Sequence, residues 1–242
     1  MKTKLSQKWS LAALALGLGL ALSSVQAQHI NAGAFNTNQG SQLYFGNGAS
    51  YVNTSGYTRS LNYSNSGQFA SWFNSSSPTF TAAAQTTNNG ATPALYAAAY
   101  GSFLQLRIET VASGPLGGTF AFWEDGNSTT TPTFNLNVGQ TVTTGNLLDL
   151  SDASIGAGTV GADPYGHLHG RRYAVSLPGD YLVGFRIIDT SINGLNGEPI
   201  HTDSDLFLLT FRAVAVPEPT ALALVGLGIV AVGVGVHRKL QK

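Results

Sequence analysis

Cysteine is absent from all 242 residues, which excludes both a disulfide framework and a thiolate metal site. Charge is scarce as well. Only 10% of the residues are Asp, Glu, Lys or Arg, so Ser, Thr, Asn, Gln and Gly must supply most of the surface. Lysine is missing from the whole stretch between Lys8 and Lys239. Between Gln28 and Ala215, six arginines stand against eleven carboxylates, a balance of −5. That mildly acidic balance argues against nucleic-acid binding. Catalytic signatures are lacking too: there is no G-x-S-x-G elbow, no H-E-x-x-H helix and no Walker loop. Glu124-Asp125 beside Trp123 invites comparison with sugar-cleaving sites. Two solvated acids at a strand end explain the pair more simply, and no enzyme is expected.

What is present begins at the two ends. Lys2, Lys4 and Lys8 precede an apolar run from Leu11 to Leu22 and a small-residue site at Val25-Gln26-Ala27. This is the pattern of a secretory signal peptide over residues 1–27. The last segment, 216–242, has three parts. Val216-Pro217-Glu218-Pro219 is followed by an apolar run from Ala221 to Val236, then by His237-Arg238-Lys239. The prolines hold the first part extended. The run predicts a helix in lipid, where each backbone group must find its partner internally. Its rise is about 24 Å, short of a hydrocarbon core of roughly 30 Å, so spanning requires Arg238 and Lys239 to snorkel or the bilayer to thin locally. The basic cluster predicts a cytoplasmic end.

The order Pro217-Glu218-Pro219, apolar span and basic end closely resembles the PEP-CTERM sorting signal of exported bacterial proteins. The resemblance implies handling by an exosortase-type membrane protease. It also implies export to the cell surface or exopolysaccharide matrix, with the membrane engaged through the C-terminal helix. The intervening ectodomain, 28–215, would then be what is displayed.

Within that ectodomain, apolar and polar residues alternate with period two. Leu104, Leu106 and Ile108 alternate with Gln105, Arg107 and Glu109; Phe120 and Phe122 with Thr119 and Ala121; Phe134, Leu136 and Val138 with Asn135 and Asn137. Similar runs cover Tyr173 to Leu177, Tyr181 to Asp189 and Leu206 to Phe211. Pro178-Gly179 marks a tight turn. The pattern predicts an all-β fold, an antiparallel β-sandwich of Ig-like or jelly-roll-like type. Residues 53–89 are rich in Ser, Asn, Thr and Gly and carry scattered aromatics. They read as short strands in long loops, or as a short helix near Gln68 to Phe73.

His167-Leu168-His169 is the sharpest local feature. On a strand both imidazoles project to one face, supplying half of a tetrahedral zinc site. His201-Thr202-Asp203 repeats the spacing with an imidazole and a carboxylate, and His29 is a further candidate ligand. Arg171 and Arg172 should point to opposite faces, one pairing with Asp180 or Asp189. The block from His167 to Tyr173, the turn Pro178-Gly179-Asp180-Tyr181 and Pro199-Ile200-His201-Thr202 together resemble PEP-CTERM surface proteins repressed by a zinc-uptake regulator. That resemblance implies a zinc-linked role for His167, His169 and His201.

The expectation is an exported, exosortase-sorted surface protein whose ectodomain binds zinc through His167, His169, His201, Asp203 and His29. The alternative is a structural matrix protein that holds polysaccharide, with Tyr57, Trp72 or Trp123 stacking on sugar rings.

Overall fold

A computed structural model of the chain describes residues 29–83, 97–124, 131–150 and 171–215. The predicted signal peptide and the tail with its expected membrane helix lie outside the described residues. The first five strands are β1 (His29–Ala34), β2 (Leu43–Phe45), β3 (Arg59–Tyr63), β4 (Phe73–Ser75) and β5 (Thr79–Ala82). Four more follow: β6 (Leu104–Ser113), β7 (Thr119–Trp123), β8 (Phe134–Asn137) and β9 (Leu147–Asp149). The last three are β10 (Arg172–Val175), β11 (Gly179–Asp189) and β12 (Phe207–Ala213). Three short 3₁₀ turns are the only helical segments among the described residues. No helix forms near Gln68 to Phe73, because Gly67 and Ser71 both have positive φ, and the chain turns there before entering β4.

Alternation has its expected effect along the longer strands. Leu104, Leu106 and Ile108 are fully buried, as are Tyr181, Val183, Phe185 and Ile187 on the neighbouring strand. The strands form a nine-stranded sheet in the order β8-β7-β10-β4-β3-β12-β11-β6-β9 and a three-stranded sheet in the order β2-β1-β5. The larger sheet is curled into a half-barrel. Two register shifts between β6 and β11, at Leu182/Val183 and Gly184/Phe185, supply part of the bend, since each bulge adds twist to the strand that carries it. The chain leaving β8 bridges the two ends of the sheet. Val138 N–H donates to Gly118 O at 3.0 Å, and Gly139 N–H donates to Val111 O at 2.8 Å.

Aromatic rings fill the concave face. Phe211 lies 5.3 Å from Phe120 and 5.6 Å from Tyr173, centroid to centroid, although these three strands are not all neighbours. The small sheet closes over the same core, with Phe80 5.1 Å from Phe185 and Phe45 stacked at 4.5 Å on Phe207. All-β is therefore the class, but the arrangement departs from an Ig-like or jelly-roll-like antiparallel sandwich. One sheet curls around the core instead of lying flat, and the pairs β1·β5 and β3·β12 are parallel. Period two reveals which face of a strand is buried, not which strand it pairs with.

The turn at Pro178-Gly179 is built as the sequence suggests. Gly179 has φ +138, and a Cβ there would stand 2.5 Å from the Pro115 ring. The buried Tyr181 hydroxyl pins the turn, accepting from Leu177 N–H at 3.2 Å and donating to Leu177 O at 3.1 Å. Asp180 pairs through both oxygens with Arg212 at 2.7 Å.

Candidate functional site

Two polar clusters lie where the small sheet meets the loops of the large one. The first is centred on Asp189, the last residue of β11, which is 3% exposed. Its Oδ1 accepts the backbone N–H groups of Phe103 at 3.0 Å and Ser191 at 2.9 Å. Its Oδ2 accepts those of Ile200 and His201, both at 3.0 Å. One carboxylate thus gathers three loop segments, offsetting the cost of its burial with four charge-assisted bonds.

His201, also 3% exposed, extends this corner. Its Nε2 lies 2.9 Å from Ala99 N, and its Nδ1 lies 3.0 Å from Ser41 O. An amide N–H can only donate and a carbonyl can only accept, so the ring is the neutral tautomer with the proton on Nδ1. Burial pushes its pKa below the ordinary value, outweighing the opposing influences of the Ser41 carbonyl and of Asp189. Both ring nitrogens are used. In this arrangement both lone-pair and N–H positions of His201 are engaged within the protein, and the ring acts as an internal cross-link.

Among the described residues, the other predicted ligands form no metal-binding group with it. His29 opens β1, with its Nδ1 2.8 Å from Thr81 Oγ1. Ala34 closes the same strand opposite Leu43, next to the Gln42–Thr202 bridge. His29 is thus separated from the His201 loop by a strand length of roughly 16 Å. Asp203 is exposed. Among the described residues no group of three His, Cys, Asp or Glu side chains is placed to hold a metal ion. His167 and His169 lie outside the described residues.

The arginine and aromatic expectations are also revised. Asp180 and Asp189 have the partners given above, and Arg171 pairs instead with Glu124 at 3.2 Å. Arg172 lies 5.4 Å over the Phe69 ring. Trp123 is 1% exposed and takes Trp72 and Phe69 edge-on at 5.5 and 5.1 Å, forming a second apolar cluster behind β7 and β10. Trp123 is accordingly core, not a stacking surface. Tyr57 is half-buried against Tyr51 at 5.1 Å.

The second polar cluster is open. Along β1, Ile30, Ala32 and Ala34 face the core, so the alternate face carries Asn31, Gly33 and then Phe35, just beyond the strand. Tyr44 pairs with Gly33 and stacks on Phe35, ring centroids 4.4 Å apart and 16° from parallel. Phe35 remains 56% exposed. Across from this stack, Gln42 Nε2 donates to Asp205 Oδ1 at 3.2 Å, and Leu206 forms the far wall of a groove of about 160 Å³. Gly184 lets Leu206 lie down, since a Cβ there would be 2.9 Å from Leu206 Cδ1. Arg186 braces the wall from behind. It chelates Glu109 at 2.6 and 3.0 Å and donates through Nη1 to Ser204 O.

The groove residues were not among the sequence candidates. A three-residue strand such as β2 is too short for period two to register. The signal that was available is Phe35, a large aromatic on the polar parity of β1.

Comparison with known proteins adds one finding, at the other end of the chain. Residues 215–239 match the family model described as the PEP-CTERM protein-sorting motif. The motif implies processing by exosortase and sorting to the cell surface. No curated protein and no solved structure matches the chain.

Proposed function

We propose that the chain is an exported, exosortase-processed component of the cell-surface matrix whose β ectodomain holds polysaccharide. The sorting motif at residues 215–239 carries the reading. The composition supports it, because a surface low in charge and rich in hydroxyl and amide groups suits a hydrated neutral polymer. In this reading the ectodomain begins near Gln28 and is delivered outward. Arg238 and Lys239 mark the cytoplasmic end until the tail is processed. The test is surface protease accessibility of the full chain in a bacterium that carries an exosortase. Wild type should be shaved from intact cells. The triple variant P217A/E218A/P219A should stay protected or retained in the membrane fraction. Equal shaving of both would contradict the sorting step.

A zinc-binding reading retains one specific feature, the His167-Leu168-His169 pair. With His201 committed elsewhere, further ligands would come from His29 or from carboxylates such as the exposed Asp203. A saturable rise in melting temperature with zinc, lost in H167A/H169A, would support this reading. No rise would remove it.

A further inference from the structure

The groove beside Phe35 has the chemistry of a sugar subsite. Phe35 offers one ring face to solvent while Tyr44 supports the other, so the platform is held flat without being covered. Leu206, 38% exposed, provides a second apolar wall. Between them stand a carboxylate and an amide already oriented by their mutual hydrogen bond, Gln42 Nε2 to Asp205 Oδ1. A pyranose ring has a matching form. Its C–H face is apolar and lies against an aromatic ring, while its equatorial hydroxyls point sideways, where neighbouring hydroxyls meet acceptors in pairs.

Charge selects among possible occupants. Among the described residues, Asp205 is the only acidic or basic side chain lining the groove. The nearby Arg186 is committed to Glu109 and Ser204 O. An anionic ligand would meet a carboxylate and no available cation. A small ammonium group would satisfy Asp205 but leave the Phe35 face and the Leu206 wall unused. A neutral sugar uses all of them.

We propose that Phe35, Tyr44, Gln42, Asp205 and Leu206 form a subsite for one neutral hexopyranose unit of a surface polysaccharide. The subsite rests on the matrix reading given above and locates it. Phe35 supplies stacking, Asp205 and Gln42 read a pair of hydroxyls, and the open groove lets a polymer run through.

The test is isothermal titration of the full chain, held in a zwitterionic detergent without a sugar headgroup. The probes are neutral fragments of dextran, pullulan and galactomannan, with a glucosamine oligomer and an alginate oligomer as charge controls. At least one neutral glycan should bind saturably. F35A should weaken that binding about tenfold, F35W should restore it, and D205N should weaken it several-fold. L116A, at a fully exposed side chain in the Pro115–Gly118 turn, should leave it unchanged. Binding undiminished in both F35A and D205N would overturn the subsite and leave the matrix reading standing. No binding of any neutral glycan would overturn both. Preference for the glucosamine oligomer over the neutral fragments would overturn the neutral-sugar assignment.

Discussion

Asp189 and Asp205 lie sixteen positions apart, in the two polar clusters that flank the meeting of the sheets. Every acceptor oxygen of Asp189 is taken by a backbone N–H, and His201 beside it has both ring nitrogens occupied. Asp205 holds one amide contact and faces solvent next to an exposed aromatic ring. In the first cluster both carboxylate oxygens and both ring nitrogens are engaged, so it acts inward, tying loops to the half-barrel. The second is oriented but unfilled, so it is available to a ligand. A residue type that suggests chemistry, such as histidine or aspartate, thus says less than how much of its hydrogen-bonding capacity the fold has already used.

The comparison can be broken most forcefully at Asp189. D189A orphans four N–H donors, three of them in buried hydrogen bonds, and should cost at least about 3 kcal/mol of unfolding free energy by urea titration. A loss well under 1 kcal/mol would mean the corner is not what holds these loops. H201A should cost about 2 kcal/mol by the same measure, because Ala99 N–H and Ser41 O lose their partner together. G184A comes next, at about 1–3 kcal/mol, since its Cβ would stand 2.6 Å from the stiff Thr110 Cγ2 and must displace it. F35A should change stability by no more than about 0.5 kcal/mol, in keeping with an exposed ring whose purpose is outward.

The histidine also sets a pH dependence with a definite sign. His201 is held neutral, so the unfolded chain binds its proton more readily than the folded one. Its contribution is complete above the ordinary value of 6.5 and declines as the pH falls below it toward the lower folded-state value. Urea midpoints measured from neutral pH downward should drop through that window, and H201Q should flatten the drop.

How far the sequence revealed this depended on element length. The ten-residue β6 and eleven-residue β11 carry enough alternation to show both their strand character and their buried face. Three-residue β2, β4 and β9 do not, and they are the strands that decide how the sheets close. His201 was visible as a site candidate because of its type and its spacing to Asp203. Its actual role depends on Ser41 and Ala99, more than a hundred positions away, which no local pattern discloses. The Phe35–Tyr44 stack was missed for the opposite reason: the sequence shows two ordinary aromatics, and only the hairpin puts them face to face. The sorting motif at residues 215–239 was legible because its parts are contiguous and need no tertiary partner.

The most direct measurement is the ¹⁵N spectrum of the His201 imidazole in the full chain, followed through acid titration and repeated with zinc. The account predicts a neutral ring protonated at Nδ1, titrating below 6.5 and unmoved by zinc. A ring protonated at Nε2, or a His201 resonance shifted by stoichiometric zinc, would contradict it and return this histidine to the metal.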